Sequence, residues 1–477
     1  MELLNQLNPK DAERMLAVGH ERQVIAHTVL LEEGVKPAAV YVVLEGMLGV
    51  RVAAHGPGTL KTLGAGEVVG EMSLIDDGVA SATVFAAENS LLLELPRTEL
   101  DVLLAADAAF AARLYRALAA TISGRLREGY GRIRERARPP EQGEAGERWA
   151  TVWKALDALQ GVFARADETA RRHEGRVPEP LQQEIRAQFA EFCRFINAQL
   201  GTGSGLAPAV QEELGARLHR ELLPYVLLTG LAERLYAKPR GYAGDFLSID
   251  LIYRDEATGT GRLGPLLDRC FLDQPAAAAV RNRRGLLAEE ILATVEAAPD
   301  RPARVMSLAC GPAQELFDVY AWLDDPSRLQ STLVDIDSQA IALVTERCVE
   351  SGLEGCMRRV QGNLVYLALG RHRLELEPQD LVYSIGLIDY FSDKFVVALL
   401  DYLHGVLAPG GKVILGNFHP SNPSRALMDH VLDWRLIHRS EADMDRLFLA
   451  SRFARPATRC RLEPAGVNLF AECVKEG

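Results

Sequence analysis

No stretch of this chain approaches the ~18 uninterrupted apolar residues that a bilayer span requires. Met1 to Gly19 is acidic and polar, without the apolar centre of a secretory leader. The expectation is a soluble, cytoplasmic protein with no membrane insertion. Paired cysteine motifs are also missing. The seven cysteines, at 193, 270, 310, 348, 356, 460 and 473, show no CxxC and no regular spacing. That pattern fits reduced thiols better than a disulfide frame or a zinc site, so no metal is expected. Basic charge is in deficit, with 53 Lys and Arg against 65 Asp and Glu and a formal net charge of −12. A general nucleic-acid binder needs a basic face, so no DNA partner is expected. At 477 residues the chain is too long for one core, and two or three domains are the default.

The C-terminal third carries the most informative pattern. Residues 304–316 read Arg-Val-Met-Ser-Leu-Ala-Cys-Gly-Pro-Ala-Gln-Glu-Leu, and Leu333-Val-Asp-Ile-Asp337 follows one strand-helix-strand unit later. An apolar strand entering a small-residue turn, then a second strand ending in an acid, is how an adenosine-containing cofactor is held. The turn lets backbone approach the ligand, and Asp335 accepts ribose hydroxyls. The alternative for Asp335 is a helix cap, a job for which Asp337 and Ser338 are better placed. Strands are expected at Arg304–Leu308, Ser331–Asp335, Met357–Gln361, Asp380–Ile385 and Lys412–Gly416. A closing hairpin runs from Arg459 through Pro464-Ala465-Gly466 to Val474.

From Val24 to Leu95, short alternating strands separated by glycine turns predict an antiparallel β domain. Gly66 to Val84 resembles the phosphate-binding cassette of the cyclic-nucleotide-binding family, with Gly34, Gly46, Gly66 and Gly70 in register over roughly residues 10–125. The resemblance implies a ligand cassette of Gly70, Glu71, Ser81 and Ala82, in which Glu71 takes a ribose hydroxyl. The family's phosphate-pairing arginine is replaced by Ala80 and its preceding proline by Val79, which removes a bidentate charge-assisted contact. A roll kept for dimerisation or for another small ligand is therefore favoured over ordinary cyclic AMP binding. Thr98 to Arg127 reads as one long helix with Leu114, Leu118, Ile122 and Leu126 on one stripe, which in that family forms a dimer seam; packing on the roll is the alternative. Arg132 to Glu147, charged and broken by Pro-Pro, is too short for a helix-turn-helix and reads as a linker, so a transcription factor is set aside.

Residues 147–300 alternate helical periods with proline or glycine stops: Trp149–Arg172, Pro180–Leu200, a Gly201–Gly205 break, then Pro208–Tyr236 interrupted near Pro224. Phe189, Phe192 and Phe195 read as a packed helix face. Tyr236-Ala-Lys-Pro-Arg-Gly-Tyr-Ala-Gly-Asp-Phe246 cannot be helix interior and reads as an ordered ligand-holding loop, a plain turn being the alternative.

Together with Asn282-Arg283 and the Ser307–Ala313 turn, this loop resembles bacterial methyltransferases of the extracellular-factor type, which act in 3-hydroxypalmitate methyl ester biosynthesis. The resemblance spans about residues 230–477. It implies a class I S-adenosylmethionine-dependent enzyme, with cofactor contacts from Ala309, Gly311, Pro312, Asp335, Ile336, Asn363, Leu364, Ser384 and Gly386. Only the middle glycine of the usual Gly-x-Gly-x-Gly is kept, Ala309 and Ala313 being small enough for close approach. Leu407–Gly411 resembles a structural turn before the fifth strand. Tyr242, Tyr390 and His419 are the candidate catalytic residues, His419 with a structural alternative. Arg240 and Arg283 are candidates for holding an acceptor carboxylate. Trp434 and Arg435, placed with His430 and His438 on a helix after the fifth strand, are candidates for an acyl pocket, packing and surface charge being the alternative.

The expected architecture is a multidomain α/β plus β chain. It has a cyclic-nucleotide-binding-like β-roll with its helix (1–128), a linker (129–147), a helical segment (148–300) and a Rossmann-like methyltransferase sheet with an antiparallel terminal hairpin (301–477). The expected activity is carboxyl O-methylation of a 3-hydroxy fatty acid or similar lipophilic acid, giving a fatty acid methyl ester. The expected partners are a small-molecule acid, a nucleotide or other small ligand in the first domain, and a second copy of the chain. Two alternatives stay open: a regulatory protein that senses S-adenosylmethionine or a nucleotide without turnover, and methylation of a protein or nitrogen acceptor.

Overall fold

Strand β3 (Ala39–Glu45) is buried along almost its whole length because it feeds two cores. Val40, Val42 and Leu44 enter one cluster with Met15, Leu93 and Leu95. Ala39, Tyr41 and Val43 enter another with Leu48, Val84 and Leu92. This period-two division is what a strand sandwiched on both faces shows. The computed structural model describes residues 9–52, 61–64, 66–76, 78–115, 117–118, 144–173 and 175–476.

Around β3 the N-terminal strands form two four-stranded antiparallel sheets. One has the order β1 (His20–Val24), β8 (Ser90–Pro96), β3, β6 (Val68–Val69). The other has β2 (Val29–Leu31), β7 (Thr83–Ala86), β4 (Leu48–Arg51), β5 (Lys61–Leu63). Gly34, Gly46, Gly66 and Gly70 all take positive φ, between 81° and 89°, the turns for which glycine has no steric cost. Helix α1 (Pro9–Val18) precedes the roll, α2 (Glu71–Asp76) interrupts it, and α3 (Arg97–Ala106) leaves it.

The single helix expected over Thr98–Arg127 is divided. Asp107 adopts extended backbone (φ −140°, ψ 95°), and its Oδ1 accepts the Phe110 N–H at 2.9 Å, capping a second helical run from residue 108. A short acid competing for local backbone donors ends one helix and starts the next. Leu114 and Leu118 are buried in the roll's own core with Phe110, so this half of the stripe packs at home. Ile122 and Leu126, with most of the linker, lie outside the described residues. The following helix begins at Glu144, inside the stretch expected to be linker.

The middle segment consists of α4 (Glu144–Arg172), α5 (Glu179–Leu200), α6 (Pro208–Val226), α7 (Leu231–Ala237), α8 (Phe246–Arg254), α9 (Gly264–Leu272) and α10 (Pro275–Glu296). Prolines stand in the first turn of α5, α6 and α10, where their missing N–H costs nothing. Pro224 lies within α6 without ending it. Phe189 and Phe192 are buried with Leu222, Phe271 and Trp434, and Phe195 packs against them.

The C-terminal sheet has seven strands in the order β11 (Met357–Gln361), β10 (Leu329–Asp335), β9 (Ala303–Leu308), β12 (Gln379–Ile385), β13 (Leu407–Phe418), β15 (Asn468–Val474), β14 (Arg459–Leu462). The first five are parallel and the last two antiparallel. One face is covered by α13 (Leu364–Ala368), α14 (Asp393–Val406) and α15 (Glu441–Ala450). The C-terminal half of α10, α11 (Gln314–Trp322) and α12 (Ser338–Glu350) cover the other. Strand order reverses between β9 and β12, and the carboxyl ends of that pair open the crevice where ligands bind in such sheets.

Arg439 ties the rim of the crevice together from a fully buried position, 2% exposed. It donates to the Ile388 carbonyl (2.8 Å), the Phe391 carbonyl (2.6 Å), Asn417 Oδ1 (2.9 Å) and Asp393 Oδ1 (2.8 Å). Arg439→Leu should strand several buried acceptors and lower unfolding free energy by about 3 kcal/mol or more. A denaturant midpoint unchanged from wild type would contradict this.

Candidate active site

The turn after β9 folds through three left-handed residues, Ala309 (φ 52°), Gly311 (φ 52°) and Ala313 (φ 49°). Alanine pays a steric cost there that glycine does not. The backbone shape expected of a glycine-rich turn is thus kept with two methyl groups added. Across from it, Asp335 ends β10 and is 6% exposed. Oδ2 accepts the Gly311 N–H at 2.9 Å, and Oδ1 accepts the Asp337 N–H at 2.9 Å. Burial pushes this carboxyl up to about 6, against those backbone donors. The capping role falls to Asp337, whose Oδ1 accepts the Gln339 and Ala340 N–H groups at the start of α12.

Three neighbours complete this half of the crevice. Ser384, fully buried, donates to the Leu308 carbonyl at 2.9 Å and ties the ends of β12 and β9 together. Gly386 is left-handed (φ 82°). Asn363 caps α13 through Oδ1 to the Val365 N–H (2.9 Å), which leaves its amide NH2 for a ligand. Leu364 is buried, and the Pro312 carbonyl accepts from Arg347 at 3.3 Å.

The loop 238–246 roofs the turn. Phe246 lies over Gly311, where an added Cβ would meet it at 3.8 Å. Three ion pairs fix the loop's ends: Arg234 with Asp245 (2.7 Å), Arg347 with Asp250 (2.8 Å), and Lys238 with Asp433 (2.6 Å). Asp245 also caps α8 through the Ser248 N–H at 2.9 Å. Arg240 binds Asp337 with Nε and with Nη2 (2.7 Å), reaches Gln339 Oε1 (3.0 Å) and stacks on Phe246 at 5.7 Å. Its guanidinium is an internal clamp on the β10–α12 turn, which corrects its expected place as a free carboxylate receptor.

Tyr242 and Tyr390 meet edge to face, ring centroids 6.0 Å apart. Burial, and the carboxylates of Asp335 and Asp337, hold the Tyr242 phenol far above its usual range. Trp434 Nε1 donates to Tyr390 Oη at 2.8 Å. Gly244 lies so close that a Cβ would meet Tyr390 Oη at 2.8 Å and the Trp434 ring at 3.3 Å. Trp434 therefore lines the crevice, although not from a helix. Leu427–Val431 is a single π turn, and left-handed Asp433 (φ 50°) leads into the irregular stretch that carries Trp434, Arg435 and His438.

Arg283 on α10 is 6% exposed. Its guanidinium faces Gly386, where a Cβ would meet Nη1 at 2.9 Å. Among the described residues its one hydrogen bond is long, Nε to Tyr253 Oη at 3.5 Å, and no carboxylate lies within ion-pair reach. Beside it, Asp389 was not anticipated from the sequence. Its Oδ1 accepts the Phe418 N–H at 2.6 Å, and its buried Oδ2 has no partner. Burial raises this carboxyl to about 6, opposed by the Phe418 N–H and by Arg439 and Arg283. Asn282, next to Arg283, instead donates to Glu463 at the hairpin tip (2.8 Å).

Two expected residues lie elsewhere. His419 has both ring nitrogens engaged, Nδ1 with Ser421 Oγ (2.6 Å) and Nε2 with Glu441 (3.2 Å), which is a structural arrangement. Arg435 pairs with Glu212 at 2.6 and 2.8 Å on an exposed face, so it does not line the crevice.

Left-handed Gly70 leads into Glu71, the first residue of α2 and 5% exposed, and Ser81 Oγ approaches Met72 Sδ at 3.9 Å. Ala80 is buried, its backbone paired with Val35 and Gly34. The guanidinium of the usual phosphate site has no counterpart at that position.

The sheet order and the acid at the end of β10 define a class I methyltransferase-like fold behind a cyclic-nucleotide-binding-like roll. Family comparison gives the same division: residues 21–107 match the cyclic nucleotide-binding domain, and residues 241–467 match the family described as "Putative methyltransferase". Among curated proteins the chain is similar to YnbC of Escherichia coli, described as uncharacterized, at 24% identity over 213 residues. That match covers 42% of this chain and 35% of YnbC, so the chain spans about a third of this relative's length. A solved structure of a possible exported protein from Bordetella parapertussis is 20% identical, with TM-score 0.42, covering 62% of this chain and 97% of that one. Magnesium protoporphyrin IX methyltransferase from Synechocystis, solved with bound SAH, is 12% identical, with TM-score 0.34, covering 48% and 94%. No helix among the described residues is long and apolar enough to cross a membrane.

Asp335 should titrate near 6 in 13C-labelled protein, well above an ordinary aspartate near 3.9. Its folded pKa exceeds its unfolded one, so the folded state retains a proton that the unfolded state has lost between about pH 4 and 6. Its contribution to stability therefore falls as pH rises through that window. A carboxyl resonance with a midpoint below about 4 would contradict the buried setting.

Proposed function

We propose that residues 230–477 form an S-adenosylmethionine-dependent methyltransferase that esterifies the carboxylate of a lipophilic acid, of which a 3-hydroxy fatty acid is one form. The observation that carries the acceptor reading is Arg283, buried beside Gly386 with one long hydrogen bond and no carboxylate paired to it among the described residues. Asp389 and Glu315 act on this guanidinium only through space, and a bound carboxylate would reduce its desolvation cost through charge-assisted hydrogen bonds.

The donor site fits the residues present. Each Asp335 oxygen has an acceptor lone pair beyond its backbone bond, which suits a ribose diol. The Gly311 turn admits close approach, and the Asn363 amide suits a base edge. When bound, the donor supplies an electrophilic methyl whose bond to sulfur breaks as the O–CH3 bond forms, the electron pair passing to sulfur. An acid acceptor is ionised at neutral pH, so the chain need not remove a proton. The task left to it is alignment and exclusion of water, which can lower a barrier by several kcal/mol, about 7–11 at the upper end. Arg283 would hold one carboxylate oxygen and leave the other free. Tyr242, Tyr390 and Trp434 would wall the crevice, and the loop 238–246 would close it from above. In the first domain, the match to the cyclic nucleotide-binding family supports a small nucleotide-like ligand, with Glu71 as the hydroxyl acceptor and the phosphate held without an arginine at position 80.

Methyl transfer from tritiated donor to 3-hydroxy acids of graded chain length tests the reading, with a rate that depends on acyl length as the expected result. Arg283→Met should raise the acid KM by about 30-fold or more while donor affinity stays within about threefold. Product formation by the wild-type chain on no acid of the series would remove the acceptor assignment.

A further inference from the structure

Several contacts bring the β-roll against segments that line the donor crevice. Glu45, the last residue of β3, accepts hydrogen bonds from the Ser338 N–H (2.9 Å), Ser338 Oγ (2.7 Å) and Gln361 Nε2 (3.0 Å). Ser338 opens α12, and Gln361 ends β11. A carboxylate at that helix start also meets the positive end of its dipole. Gly64, between β5 and β6, lies on the roof loop: a Cβ there would stand 2.0 Å from Gly241 Cα, so this approach needs glycine at 64. Tyr366 and Leu369, just past the Asn363 turn, pack into the roll's core. Glu88 faces the Arg240–Asp337 pair, its carboxyl raised by burial with Arg240 opposing.

Between these anchors sits the turn Asp335-Ile-Asp-Ser338. Arg240 holds it from the roof loop, and Glu45 holds it from the other domain. We propose that Glu45 is a positioning residue for the methyl-donor site, fixing the turn that carries Asp335, so that the docked roll sets the donor affinity of the sheet. The inference rests on Asp335 being the donor's ribose acid. The roll is then a working wall of the site, not a passenger. Its strand β3 begins beside the cassette as well, where Gly70 packs against the Ala39 carbonyl (a Cβ at 70 would be 2.9 Å away). A ligand that shifts β3 would by linkage alter donor affinity, and the donor would alter that ligand's affinity by the same factor.

Calorimetric titration of S-adenosylhomocysteine into the full chain tests this. Wild type should bind, Asp335→Ala should not, and Glu45→Ala should bind about tenfold more weakly. Glu45→Gln, which keeps an acceptor for Ser338, should stay within about threefold of wild type. In turnover, Glu45→Ala should raise the donor KM and leave kcat within about twofold, a split that general destabilisation does not produce. Ser338→Ala removes one of the three donors to Glu45 and should weaken binding about threefold, which preserves the comparison if Glu45→Ala folds poorly. Wild-type affinity in both Glu45→Ala and Ser338→Ala, with Asp335→Ala unable to bind, overturns the inference and leaves the donor reading standing. A wild-type chain that binds no S-adenosylhomocysteine overturns both.

Discussion

The 2.9 Å hydrogen bond from the Gly311 N–H to Asp335 joins the turn after β9 to the end of β10 across the crevice. It sets the end of β10 against the turn after β9, and it needs three consecutive odd-numbered residues, 309, 311 and 313, in left-handed backbone. Two of those are alanines, each of which stores steric strain of roughly 1–2 kcal/mol. Strain of this kind persists only where the surroundings hold it. Here Asp335 accepts from one side, the Val334 carbonyl takes the Cys310 N–H at 3.2 Å, and Phe246 covers the turn. The elevated Asp335 pKa is the electrostatic side of the same fact, a carboxylate removed from water and only partly compensated by backbone donors.

The loop 238–246 follows the same logic one layer out. Its charged residues are mostly joined to other parts of the chain: Arg240 to Asp337, Lys238 to Asp433, and Asp245 to Arg234. What it offers the crevice is shape and aromatic surface, through Tyr242, Gly244 and Phe246. A loop carrying a lysine, an arginine and an aspartate can therefore have its charge used up internally.

Local pattern made much of this legible. The strands of the sheet, the hairpin, the roll's left-handed glycines and the proline-started helices all follow from short-range signals, namely period, turn residues and caps. Asp335 was distinguishable from Asp337 for the same reason, because a cap must stand next to its helix. Contacts between distant segments were not legible. Nothing near Arg240 announces Asp337 ninety-seven residues away, and Glu45 reaches Ser338 across 293 positions. Asp107 divides a helix that hydrophobic spacing alone runs straight through, since spacing does not register a side chain's competition for backbone donors. Trp434 and Arg435, adjacent in sequence, face opposite environments because left-handed Asp433 breaks the expected helix and resets the direction of the chain.

Arg283 and Arg439 show how differently two buried guanidiniums can be compensated. Both are buried, at 6% and 2% exposure, and both lie near Asp389 at the rim of the sheet. Arg439 finds carbonyl, amide and carboxylate acceptors at 2.6 to 3.0 Å for every arm of its guanidinium. Arg283 finds one phenol at 3.5 Å. Desolvating a guanidinium costs several kcal/mol in either setting. For Arg439 the protein itself offsets that cost, and the residue holds the rim in one shape. For Arg283 the offset comes only through space, from Asp389 and Glu315, with no such set of hydrogen bonds. On the proposed reading, an anion delivered there would gain hydrogen bonds that the folded chain does not supply, so its binding and its orientation would come from one interaction.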